Sequence, residues 1–246
     1  MRSLVAIVAL DVRGICRDHV AVATLLLSFV GTAAITLLGT VQDRLPGWAE
    51  WFPLMVAVSL VGSPGGFGLL FGLLMVDEGD TGVRSALAVS PVKPVVFLVT
   101  RTVVATTWVL VWPLTSVYLM NWTWQVIDFS LAQWLAVVLP LALFTPALAL
   151  VIPTLADDKV GALAMFKGES FLMLLPLVLY VLSAQVWYRP LFLLSPAAWV
   201  MEAYLAFLDG HPASGYWWAS GGAAYAVVLF GIVAYAYVRN VYQLRR

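Results

Sequence analysis

Residues 191–208 read LFLLSPAAWVMEAYLAFL, and what they form decides the sidedness of everything that follows them. The run is apolar enough to look like a membrane span. It contains Ser195-Pro196 and, further on, Glu202, whose carboxylate would cost roughly 3 kcal/mol or more at mid-membrane. A full crossing here would move the C-terminal arginines Arg239, Arg245 and Arg246 to the side opposite most of the other basic residues. One or two short helices dipping into the outer leaflet leave them where they belong. Re-entrant backbone of this kind is tolerated where protein buries it. The stretch is therefore read as re-entrant.

Six other stretches are long and apolar enough to cross a bilayer, which takes about 20 mostly apolar residues. They are 20–41, 54–76, 95–120, 134–155, 170–187 and 217–238. The runs are continuous rather than alternating in polarity, so they are helices and not barrel strands. Composition agrees, with 63% hydrophobic residues, 11% charged and a mean hydropathy of +0.96. Soluble domains carry about 25% charged residues. A soluble enzyme and a nucleic-acid binder are both excluded, and the balanced formal charge argues against a polybasic partner surface. The fold expected is an all-α integral membrane protein of six spans, forming one transmembrane domain over 1–246.

Lys and Arg fall 11 on one side of these spans and 2 (Arg44 and Arg189) on the other. The positive-inside rule then puts both termini in the cytoplasm of a multi-pass inner (plasma) membrane protein. The tryptophans lie in outer loops or outer halves of spans, as an interfacial belt requires. A lining for an aromatic or amphipathic cargo is the other reading. Residues 1–18 place Leu4, Val5, Val8, Val12, Ile15 and Cys16 on one helical face and Arg2, Arg13 and Arg17 on another. That pattern describes an amphipathic helix lying on the cytoplasmic leaflet. No small-residue cleavage site follows its apolar stretch, so it is not a signal peptide.

Much familiar chemistry is missing. His19 and His211 fall on opposite sides of the membrane, and the single Cys16 excludes an internal disulfide or a cysteine-based zinc cluster. The sequence has no phosphate-binding loop, no nucleophile elbow and no HExxH. No metal or cofactor site is expected in this chain. By these boundaries Arg101 and Glu169 sit at cytoplasmic ends of spans, where snorkelling suffices. No acidic residue or histidine lies near a span centre, which removes the usual proton or sodium relay. Energy must come from elsewhere, or the protein is passive. Pro64, Gly65 and Gly66 interrupt the second span and are candidate hinges, although proline is common in membrane helices.

The loop 77–94 carries the most information. Asp77, Glu78 and Asp80 close the second span, Thr81, Val83, Arg84 and Leu87 fall in a short helix, and Ser90-Pro91 stops it. Val83 and Leu87 share a face that fits a groove on a soluble partner. Physics alone is equally served by a solvated loop. This loop resembles that of permease subunits of the type-2 ABC exporter class. The layout is similar over essentially the whole chain, including the Pro-x-x-Trp segment of SPAAWVMEAYLAFLDG, residues 195–210. The region ALAVSPVKPVVFLVTR is closest to fluoroquinolone-export permeases.

The resemblance implies a permease subunit of an ATP-driven exporter for a hydrophobic or amphipathic substrate. Asp77 through Pro91 would be the coupling helix docked on a separate ABC ATPase subunit, which holds the ATP and magnesium. Asp157, Asp158 and Lys159 would make a lesser second contact. Two permease chains, identical or related, would form the path. A secondary transporter or channel, and a membrane-embedded lipid enzyme, are the competing classes; no internal repeat and no catalytic pair speaks for them.

Overall fold

The structure, a computed structural model, describes residues 13–17, 19–44, 47–80, 94–156, 158–182 and 187–243. All regular elements among these residues are helical. They are α1 (His19–Gly39), α2 (Trp48–Asp80), α3 (Pro94–Trp124), α4 (Leu131–Leu155), α5 (Lys159–Leu174), α6 (Pro196–Leu208) and α7 (Pro212–Tyr237). Short 3-10 turns occupy Gln42–Arg44, Leu175–Tyr180 and Arg189–Leu194, and a π-helical turn, Val238–Gln243, ends the described chain. Six helical stretches are long and apolar enough to cross a membrane. The chain is an all-α membrane protein.

α4 and α2 form the centre of the bundle, and α1 and α7 its periphery. α4 starts at a capping box: the Gln133 amide N–H donates to Ser130 Oγ (3.3 Å), and the Ser130 N–H donates to Gln133 Oε1 (2.7 Å). Each satisfies a group that the helix end would otherwise leave unpaired. Most of α4 is buried, including Trp134, Leu141, Leu150 and Ile152. Gly68 and Gly72 of α2 let it lie close. A Cβ at Gly68 would meet Leu148 Cβ at 2.8 Å, and one at Gly72 would meet Ile152 Cβ at 2.9 Å. This is the small-xxx-small packing of membrane helices, which replaces a hydrophobic drive that lipid does not supply. α1 and α7 expose Leu27, Val30, Val228 and Tyr235, as lipid-facing helices do.

Three expected boundaries change. The second span runs 48–80 rather than 54–76, about 50 Å at 1.5 Å per residue. That exceeds a hydrocarbon core of about 30 Å, so an end of α2 projects beyond it. The fifth span was expected at 170–187. It begins at Lys159, passes into a 3-10 turn around Pro176 and ends at Tyr180. Asp158 caps its start, its carboxylate accepting from the Gly161 N–H at 2.7 Å. The helix therefore begins at a polar cap, well before the apolar run that marks it in sequence. The sixth begins at Pro212.

The segment 191–208 becomes the 3-10 turn 189–194 followed by α6, only 13 residues or about 20 Å long. α6 is too short to cross a bilayer alone. It turns back at Asp209–Gly210, where Gly210 takes φ +73°, and packs along α7. Glu202 is not stranded. Arg189 donates to both of its carboxylate oxygens, Nε to Oε1 at 2.6 Å and Nη2 to Oε2 at 2.8 Å, and its Nη1 donates to the Leu182 carbonyl at 2.7 Å. The hydrogen bond to Glu202 raises the Arg189 pKa above its ordinary value, against the lowering effect of burial. Ser195 Oγ donates to the Leu172 carbonyl (2.9 Å) and Tyr204 Oη to the Pro53 carbonyl (2.9 Å), tying the segment to α5 and α2.

Of the expected N-terminal interfacial helix 1–18, residues 1–12 and 18 lie outside the described residues. Residues 13–17 are helical. Ile15 packs into the main core, whereas Cys16 is exposed, so the two do not share a buried face.

Candidate functional site

α2 ends in a run of acid, and the structure gives two of those carboxylates partners on neighbouring helices. Glu78 receives two hydrogen bonds from the Arg101 guanidinium of α3, one of them Nη1 to Oε2 at 2.8 Å and the other Nη2 to Oε1. The Arg101 side chain is 3% exposed and that of Glu78 16%. Asp77 Oδ1 lies 2.8 Å from Lys159 Nζ at the start of α5, with both side chains 45% exposed. The two pairs differ in weight. An exposed pair contributes about 0–1 kcal/mol. Breaking a buried one leaves an uncompensated charge and costs about 3–5 kcal/mol.

Arg101 is thus not a snorkelling side chain at a span end. It is buried, and Glu78 balances its charge. The ends of α2, α3 and α5 are tied together where the chain enters and leaves residues 81–93. Asp80 closes α2 in the helical backbone. Thr81, Val83, Arg84, Leu87, Ser90 and Pro91 lie outside the described residues, as does Asp157. Asp158 is the N-cap of α5, and Lys159 is the partner of Asp77, so both serve the fold of this chain. Pro64, Gly65 and Gly66 sit inside one continuous helix. A Cβ at Gly65 or Gly66 would find ordinary contact distances, 3.8 Å to Phe166 and 3.5 Å to Thr24. The close approaches fall instead at Gly68 and Gly72, which the sequence reading did not single out.

The second feature is a cavity of about 720 Å³ bounded by α4, α5, α7 and the turn 189–194. Its lining is aliphatic and aromatic, with one carboxylate, Glu169. Moving the start of the fifth span to Lys159 places Glu169 near the midpoint of Lys159–Tyr180. The expectation that no acidic group lies near a span centre is therefore corrected. Both Glu169 oxygens are buried, with no hydrogen-bond partner among the described residues. No cluster of three or more His, Cys, Asp or Glu side chains suited to a metal occurs among the described residues.

A bundle of six helices long and apolar enough to cross a membrane, enclosing an apolar cavity lined by one acid, defines a polytopic membrane protein. The family model described as Fluoroquinolones export permease protein Rv2686c-like matches residues 11–234. The chain belongs to that family, and with it to the permeases of drug export. No curated protein matches it.

Proposed function

We propose that this chain is the membrane subunit of an ATP-driven exporter that moves hydrophobic or amphipathic drug-like molecules out of the cytoplasm. A separate ABC ATPase subunit binds and hydrolyses ATP with magnesium, and docks on residues 77–94. A second permease chain, identical or related, completes the path. Both termini lie in the cytoplasm of the inner membrane, and 191–208 dips into the outer leaflet.

The observation that supports this best is the pair of ties around the loop. Glu78–Arg101 and Asp77–Lys159 join the last turn of α2 to the body of α3 and to the start of α5. A push on that loop reaches α2 and α3 through their own backbones and α5 through Lys159. From α2 it reaches α4 through the close contact at Gly68 and Gly72. A movement of the loop is then a movement of the central helices, which a slack solvated connection does not provide.

Purification from native membranes tests the reading. An ABC ATPase should accompany the chain, and drug should stimulate its hydrolysis in proteoliposomes. A second reading, export driven by a proton gradient, draws on Glu169. Drug movement in response to an imposed pH gradient, with no ATPase present, would favour it.

A further inference from the structure

Glu169 stands out because nothing around it among the described residues pairs with its carboxyl group. Both carboxylate oxygens are buried and accept no hydrogen bond from the described residues. Among the described residues, the cavity it lines has no Lys, Arg or His. Two hydroxyls of the lining donate elsewhere: Ser195 Oγ to the Leu172 carbonyl at 2.9 Å, and Tyr225 Oη to the Leu194 carbonyl at 2.8 Å. A carboxyl group shut away from water without a partner is unfavourable, and membrane proteins keep such groups where they do work.

The rest of the wall is mostly apolar, Phe144, Leu148 and Leu229 among it, with Tyr188, Ser195 and Tyr225 as its hydroxyl-bearing members. This suits a ring system rather than a sugar or an inorganic ion, both of which need many polar partners. The volume, about 720 Å³, falls among those of pockets for drug-sized molecules, about 300–1,000 Å³. An anion is disfavoured by the carboxylate, and a neutral hydrocarbon leaves it unanswered. A protonated amine carried on an apolar ring framework answers both the lining and the carboxyl group.

We propose that this cavity is the substrate site of the chain and that the Glu169 carboxylate receives the ammonium group of an amphipathic, ring-containing amine. The proposal rests on the exporter reading only for the choice of probe, since binding needs neither ATP nor an ATPase.

The test compares norfloxacin, whose piperazine nitrogen is protonated near neutral pH, with N-acetylnorfloxacin, in which that nitrogen is an amide. Both are titrated by their own fluorescence against the full chain in lipid nanodiscs, as wild type, Glu169→Gln, Glu169→Asp and Leu229→Trp. Charge-assisted hydrogen bonds predict that Glu169→Gln weakens norfloxacin binding by roughly 10- to 100-fold. N-acetylnorfloxacin, which keeps only the quinolone carboxylate, should bind Glu169→Gln no more weakly than wild type. Glu169→Asp keeps the charge and should keep the preference for norfloxacin, which guards against a fold defect in the glutamine variant. Leu229→Trp fills the cavity and should weaken both probes.

Unchanged norfloxacin binding in Glu169→Gln would overturn the proposal. So would an equal loss of both probes in that variant, which would mark Glu169 as a structural group. Retained binding of both probes with loss of pH-driven transport alone would make it a proton relay, and would also overturn it. A chain that binds norfloxacin through Glu169 yet recruits no ATPase would sink the coupling reading and leave this one standing.

Discussion

Arg101 and Glu78 meet through two parallel hydrogen bonds between the body of α3 and the last turn of α2, and the guanidinium has almost no solvent contact. The geometry is the fork-on-carboxylate pairing that only arginine makes. Glu78 therefore belongs to the bundle as much as to the loop that follows it.

Glu78→Ala should destabilise the chain by about 3–5 kcal/mol, because it removes the carboxylate paired with a buried cation. Replacing both partners, Glu78→Leu with Arg101→Met, should recover most of that loss, since no lone charge remains. Lys159→Ala, at the exposed pair, should cost only about 0–1 kcal/mol. Thermal unfolding of wild type and the three variants in one detergent checks the order. A Glu78→Ala protein as stable as Lys159→Ala would show that the buried pair carries no weight.

Gly72→Ala should also be costly. Its Cβ would sit 2.7 Å from Ile152 Cδ1 and 2.9 Å from Ile152 Cβ, so α2 and α4 must separate. Overpacking of this kind costs about 1–3 kcal/mol. Gly31→Ala on α1, with nothing within 4 Å of the new Cβ, is the matched control. Equal melting temperatures for the two would contradict the close α2–α4 contact.

These outcomes separate what the sequence made legible from what it hid. Continuous apolar runs announce six long apolar helices, and Ser195-Pro196 with Glu202 announces a segment that is not one of them. The fifth span is misplaced because Lys159, Lys167 and Glu169 dilute its hydropathy while residues 175–187 look apolar. Hydropathy averages composition and says nothing of where a helix is capped. Asp158, three residues before Gly161, was the local signal that α5 starts early. That shift alone moved Glu169 from a wet edge to a span midpoint. The partners of Arg101, Lys159 and Glu202 were hidden for a different reason, since opposite charges far apart in sequence pair only after helices pack. Gly68 and Gly72 were visible as a spacing, but the helix they admit was not.

Sidedness is testable in a chain carrying Cys16→Ser. A cysteine at Ala49 or Asp209, both exposed, should react with a membrane-impermeant thiol reagent applied to intact cells, and one at Ser85 should not. Labelling of Ser85 from outside would reverse the orientation. An Asp209 cysteine reachable only from the cytoplasm would make 191–208 a crossing.

The most direct measurement is ATPase recovery and substrate-stimulated hydrolysis with wild type, Leu87→Asp and Ser130→Asp. Leu87 lies on the face of the loop expected to enter the partner, and a carboxylate there should weaken docking roughly 30-fold, about 2 kcal/mol. Ser130→Asp, at a helix cap that aspartate also satisfies, should behave as wild type. Loss of ATPase and of ATP-driven export in Leu87→Asp alone is the predicted result. Full recovery of both with Leu87→Asp, or export by the wild-type chain with no ATPase present, would contradict ATP-driven coupling through residues 77–94.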